Sequence, residues 1–88
     1  MQVNSESAME QILTAIITAL VDETEHVRIE RGLDADRIVS RVQVAPGDVG
    51  KVIGNAGGTA RSIRTIMGAV ATKFKCATSV EIVDGLRN

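Results

Sequence analysis

Residues 52–64 read Val-Ile-Gly-Asn-Ala-Gly-Gly-Thr-Ala-Arg-Ser-Ile-Arg, and the turn at their centre constrains the chain more than any other segment. Gly54 and Gly57 frame two small residues, so the backbone can bend sharply through left-handed conformations and expose its amides. Helical spacing resumes at Gly58, which places the turn at a helix N-terminus. Such an end presents unpaired N–H groups and a positive dipole, a natural seat for a phosphate or other anion. The turn therefore joins two helical segments.

Eighty-eight residues make one small domain. The sole aromatic residue is Phe74, so the core is built from Ile, Val, Leu and Ala. No apolar run is long enough to span a bilayer, and the N-terminal Met-Gln-Val-Asn-Ser-Glu lacks the pattern of a secretory signal. The expected location is the cytoplasm. A single cysteine, Cys76, excludes an internal disulfide, and one histidine, His26, does not build a zinc site with it. Neither a metal nor a cofactor is expected.

Net charge is −1, but it is unevenly spread. Residues 1–36 carry eight acidic and two basic side chains. Residues 37–75 carry Arg37, Arg41, Lys51, Arg61, Arg64, Lys73 and Lys75 against Asp48 alone. Positive charge thus gathers in the sequence around the glycine turn, where a phosphate backbone would need it.

The periodicity divides the chain into six elements. Ser7 followed by Glu10 fits a capping box, and Met9, Ile12, Leu13, Ile16, Ile17, Leu20 and Val21 recur at helical spacing, predicting a helix over 7–23. Val27 and Ile29 alternate with polar residues as a short strand, residues 32–36 read as a turn, and residues 37–44 as a second strand, together a hairpin. Pro46 ends that strand and opens a brief helix from about residue 47 to 53. A longer helix follows the turn, with Ile63, Ile66, Met67, Val70, Ala71 and Phe74 on one face, and Val80 and Ile82 mark a third strand. The order α-β-β-α-α-β predicts an α+β fold of two layers, a three-stranded sheet with helices on one face. Residues 1–6 and 85–88 are expected to be tails around a domain at 7–84.

The run Gly50-Lys51-Val52-Ile53-Gly54-Asn55-Ala56-Gly57, followed by Ala60, Ile63 and Arg64, resembles the KH domain of small bacterial single-KH RNA-binding proteins, the KhpA-like family. The lead-in Val44-Ala45-Pro46-Gly47-Asp48 is similar as well, and the element order is that of a type II KH domain. The resemblance implies single-stranded RNA as ligand, with single-stranded DNA also open. It implies that Gly54, Asn55, Ala56 and Gly57 clamp the backbone and that Val52 and Ile53, with Ile63 behind them, line or support an apolar groove. The strand carrying Val80 and Ile82 and the loop 32–36 would form the opposite wall. Lys51, Arg61 and Arg64 are the candidates for salt-sensitive backbone contacts. It further implies a homodimer or a pairing with a larger KH-containing protein, and roles in RNA regulation, cell division and envelope growth.

This chain departs from the family at the two variable loop positions, which usually include Lys or Arg and here are Asn55 and Ala56. Phosphate capture would then rest on amides, the helix dipole and the flanking Lys51 and Arg61, with pairing of two domains adding avidity. The alternative reading is a KH-fold dimerisation module with vestigial RNA binding. An enzyme is not expected. Gly50-Lys51 is followed by Val52 rather than the Ser or Thr of an NTP-binding loop, and no dinucleotide fingerprint occurs. Asp48 has no second carboxylate, histidine or nucleophile near it in sequence and reads as a first-turn or capping residue. His26 reads as a solvent-facing strand residue, and Cys76 as a small buried hydrophobe.

Overall fold

A computed structural model describes residues 5–83. Its elements are α1 (Ser5–Leu20), β1 (Arg28–Asp34), β2 (Arg37–Gln43), α2 (Val49–Ile53), α3 (Gly58–Lys73) and β3 (Ala77–Ile82), with single 3-10 turns at Thr24–His26, Pro46–Asp48 and Asn55–Gly57. The α+β order is the expected one. In the sheet, β2 is central, antiparallel to β1 and parallel to β3.

The alternation along β2 explains the two layers. Ile38, Ser40 and Val42 are buried, whereas Arg37, Arg41 and Gln43 are exposed, so only one face of the sheet is covered. Onto that face pack Met9, Leu13 and Ile17 of α1, Val52 of α2 and Ile63, Met67 and Ala71 of α3, with Val80 from β3. The core is aliphatic apart from Phe74, which is half-buried at its margin.

Element boundaries moved for identifiable reasons. Helix α1 begins at Ser5, inside the segment assigned to a tail, so Ser7 lies within the helix and is not its N-cap. The helix stops at Leu20 instead of 23 because the next backbone amides are drawn elsewhere: Asp22 N–H donates to Asp48 Oδ1 at 3.2 Å and Glu23 N–H to Asp48 Oδ2 at 3.0 Å. Strand β1 runs on to Asp34, since Gly32, Leu33 and Asp34 pair with Val39, Ile38 and Arg37. Only Ala35 and Asp36 turn, and Ala35 takes the positive φ of 56° that Gly32 was available to supply. Residues 1–4 and 84–88 lie outside the described residues.

Asp48 does more than open a helix. It is 2% exposed, at the N-cap of α2, and makes no capping bond to its own helix. Its carboxylate instead ties the end of α1 to the start of α2. Lys51 completes the junction, 3.2 Å from Asp48 Oδ1 and 3.3 Å from Asp22 Oδ2. The bond from the Glu23 amide, helped by the Asp22 amide and Lys51, holds the Asp48 carboxyl below its ordinary 3.8 against the opposing cost of desolvation. The same carboxylates, Asp48 foremost, hold the Lys51 ammonium above its ordinary 10.5.

A depressed carboxyl stabilises the fold above its unfolded-state pKa and loses that contribution as pH falls through the native value. A raised ammonium stabilises below its unfolded pKa and loses its contribution as pH rises through the native one. Asp48→Asn is therefore expected to lower the melting temperature at pH 7. It should also flatten the decline of the melting temperature below about pH 4 relative to the parent. Thermal unfolding by circular dichroism across pH 2–8 checks this; an equally steep acid limb in both proteins would contradict it.

Candidate nucleic-acid interface

The glycine turn is built by three residues that leave ordinary backbone space. Gly54 adopts φ 78°, ψ 174°, a region reserved for glycine, Ala56 is left-handed at φ 54°, ψ 28°, and Gly57 is left-handed at φ 76°, ψ 12°. Gly54 is required twice over. A Cβ there would overlap the Thr59 hydroxyl and lie 2.7 Å from both Thr59 Cβ and N. At Gly57 a Cβ would meet nothing nearer than an Arg61 nitrogen at 3.6 Å, so its backbone angle alone explains the glycine.

Hydrogen bonds lock the corners of the turn and leave its tip open. Gly54 N–H donates to Gly50 O at 2.9 Å, Gly57 N–H to Gly54 O at 3.2 Å, and Gly58 N–H to Asn55 O. Among the described residues, no backbone bond engages the amides of Asn55 or Ala56, and both side chains are exposed. Those amides and the sixteen-residue α3 behind them form an exposed positive end.

The three candidate cations are placed very differently. Arg61, one turn into α3, folds back so that its Nη1 donates to Ala56 O at 3.1 Å, which puts a guanidinium on the turn itself. Lys51 is held in the ion pairs with Asp22 and Asp48. Arg64 reaches the third strand, its Nε donating to Val80 O at 3.1 Å. The sequence block of positive charge is not gathered on one face. Arg37 and Arg41 lie on the open side of the sheet, and Arg41 pairs with Glu81 at 3.3 Å.

Val52 is wholly buried and Ile63 nearly so; both belong to the core beneath the turn, while Ile53 is half-buried at the end of α2. A groove runs between α3 and the edge strand β3, lined by Arg64 and residues 78–81. The other expected wall is misplaced. β3 returns along α3, so its Ile82 end approaches the turn, while the pairing of Arg37 with Ala77 puts the hairpin turn at the far end of β3. That is roughly 20 Å away for six residues of strand. Loop 32–36 is not a wall of this groove.

Three participants escaped the sequence reading: the Asp22 partner of Lys51, Thr59 against Gly54, and the Val80 carbonyl. The first and third are contacts between residues far apart in the chain, for which no local signal exists. Thr59 directly follows Gly57-Gly58, and its residue type carries no sign of its close approach to Gly54.

Gly54→Ala is expected to cost about 2–4 kcal/mol, from left-handed strain together with overpacking against Thr59. Ala56→Gly removes roughly 1–2 kcal/mol of left-handed cost and returns part of it as unfolded-chain entropy, for a net gain of about 0.5–1 kcal/mol. Urea denaturation measures both, and the opposite sign in either would refute the assigned backbone conformations.

Comparison with known proteins agrees with this geometry. Residues 10–82 match the family model described as "KhpA/KhpB, KH domain". The chain is 36% identical over 76 residues to a protein of Chlamydia trachomatis named RNA-binding protein KhpA, covering 86% of this chain and 97% of that one. It is 38% identical over 76 residues to the Chlamydia pneumoniae protein of that name, with the same shares covered. Against the Clostridium acetobutylicum protein of that name it is 39% identical over 75 residues, 85% of this chain and all of the relative. The α-β-β-α-α-β order, the Gly-x-x-Gly turn at the start of α3 and these matches over most of the chain together place it: the chain belongs to the KhpA/KhpB KH-domain family.

Proposed function

We propose that this chain binds single-stranded RNA, holding the backbone at the Gly54–Gly57 turn and the bases in the groove between α3 and β3. The observation that carries this reading is the exposed tip of the turn. Two amides free of backbone bonds, a helix N-terminus and the Arg61 guanidinium converge there. Arg61 takes the place of the cation that the loop itself lacks. Its bond to the Ala56 carbonyl keeps it beside the site, from which a phosphate can draw it by a charge-assisted bond. The names of the relatives, RNA-binding protein KhpA, support the same ligand.

Lys51 contributes differently. Balanced by two carboxylates, it adds little net field at the turn and serves to orient α2. One weak clamp gains from pairing, so the reading includes a homodimer or a complex with a larger KH-containing protein, acting in RNA regulation linked to cell division and envelope growth. A second reading, a dimerisation module with residual RNA binding, is favoured by the neutral Asn55-Ala56 pair and by exposed Ile66 on α3.

Fluorescence anisotropy with short single-stranded RNA over a salt series separates the two. Ala56→Asp should weaken binding at least about tenfold by setting a negative charge against the phosphate. Arg61→Met should lower the log–log salt slope by roughly 0.7, the loss of one neutralised phosphate. Absence of binding by the parent even at low salt would remove the RNA reading. Single-stranded DNA of the same sequence tests the sugar requirement. Sedimentation velocity is expected to show a dimer at high concentration, and monomer throughout would refute self-pairing.

A further inference from the structure

Strand β1 is an edge of the sheet that lacks most of the devices which keep such edges from pairing. It is seven residues long, contains no proline or lysine, and keeps unbroken register with β2. Val83 N–H donates to Val42 O at 2.8 Å, so even-numbered residues of β2 turn their backbone groups to β3 and odd-numbered ones to β1. Arg41 pairs with Glu30 and Val39 with Gly32, which ties those β1 residues to β2. Ile29 and Leu33 therefore aim N–H and C=O away from β2.

The helices leave this edge uncovered. Leu33 is 74% exposed, against 46% for Ile66 and 36% for Ile12. With Ile29 and Ile38 it lines an open hollow of about 410 Å³. Both Ile29 and Leu33 stand on the helix side of the sheet, since their ladder partners Val42 and Ile38 are buried there. The charge between them, Arg31, is held by Glu10 at 2.7 Å.

About a two-fold axis at Arg31 the strand is complementary to itself. An antiparallel copy sets Ile29 opposite Leu33 twice, apolar against apolar, in pairs that exchange both backbone bonds. On the open face Arg28 meets Asp34, and Glu30 meets Gly32, where no atom stands within 4 Å of a Cβ position. Each Arg31 brings its own Glu10 to the axis, so the charges there balance. We propose that two copies of this chain join through β1 into a continuous six-stranded sheet. The assignment rests on the self-pairing put forward above and gives it a surface. Both helical layers then share one side, and the two α3–β3 grooves lie at opposite margins, about 24 Å apart across five strand spacings. One RNA engages both copies only with a spacer between its two bound segments.

The test reads surface and register without RNA. In a Cys76→Ser background, full-length Arg28→Cys and Asp34→Cys proteins are mixed and treated with oxidised glutathione. Across the joint, positions 28 and 34 of opposite copies face each other with Cβ atoms about 4.5 Å apart, within reach of a disulfide. Position 28 lies roughly 20 Å from its own counterpart, and so does 34. Cross-linked dimer should form in the mixture and in neither protein alone. By sedimentation equilibrium, Leu33→Lys should raise the dimer dissociation constant at least about tenfold through loss of two apolar contacts, and Ile66→Lys should leave it within about twofold. A dimer that gives no cross-link in the mixture, withstands Leu33→Lys, or is abolished by Ile66→Lys would overturn the edge and keep self-pairing. Monomer at every concentration would overturn self-pairing itself.

Discussion

The junction at Asp48 is the interaction on which the rest of the structure depends. One buried carboxylate takes two amides from the chain leaving α1 and a lysine from α2, and so fixes how the first helix meets the segment that carries the turn. A buried charge is tolerated only when its hydrogen-bonding capacity is met, and here three donors meet it. The arrangement ends α1 at Leu20, sets the direction of α2 and leaves the turn projecting from a rigid base. Removal of the carboxylate would leave two amides of the chain after α1 without their partner.

Most of the fold was legible because its period signals are strong. The apolar spacing of α1 and α3 and the alternation of β2 can each be read in only one way. What could not be read was decided by distant partners. Nothing local says that Asp22 and Glu23 will donate to a residue 25 or 26 positions on, so the spacing alone predicts a longer helix than forms. The segment Gly32–Asp34 has turn-forming residues yet is held in the sheet by its ladder to β2, an instance of tertiary pairing overriding propensity.

The site shows the same division. The tight backbone at Gly54 and Gly57 was legible from residue type, because glycine readily takes positive φ, whereas nothing marks Ala56 for the φ of 54° it adopts. The placement of the charges was not legible either. A block of basic residues in sequence became three separate environments: Lys51 neutralised at the helix junction, Arg37 and Arg41 on the open sheet face, and Arg61 and Arg64 flanking the groove. Linear charge counts therefore overstate the field at the turn. They also hide that the arginines engage backbone carbonyls, where they change the hydrogen-bonding character of the surface as well as its potential.

The β1 strand at the edge of the sheet is covered far less than β2. Every described residue of β1 except Ile29 is exposed, Leu33 to 74%, whereas β2 keeps Ile38, Ser40 and Val42 buried along its whole length. The rung Leu33–Ile38 therefore joins a solvent-facing side chain to one in the core. In a single copy, amide protons of β1 near Leu33 should thus exchange with solvent through small local openings, and those of β2 at Ile38 and Val42 only when larger parts of the domain open. The sheet is graded in stability across its strands, softening from β2 toward the β1 edge.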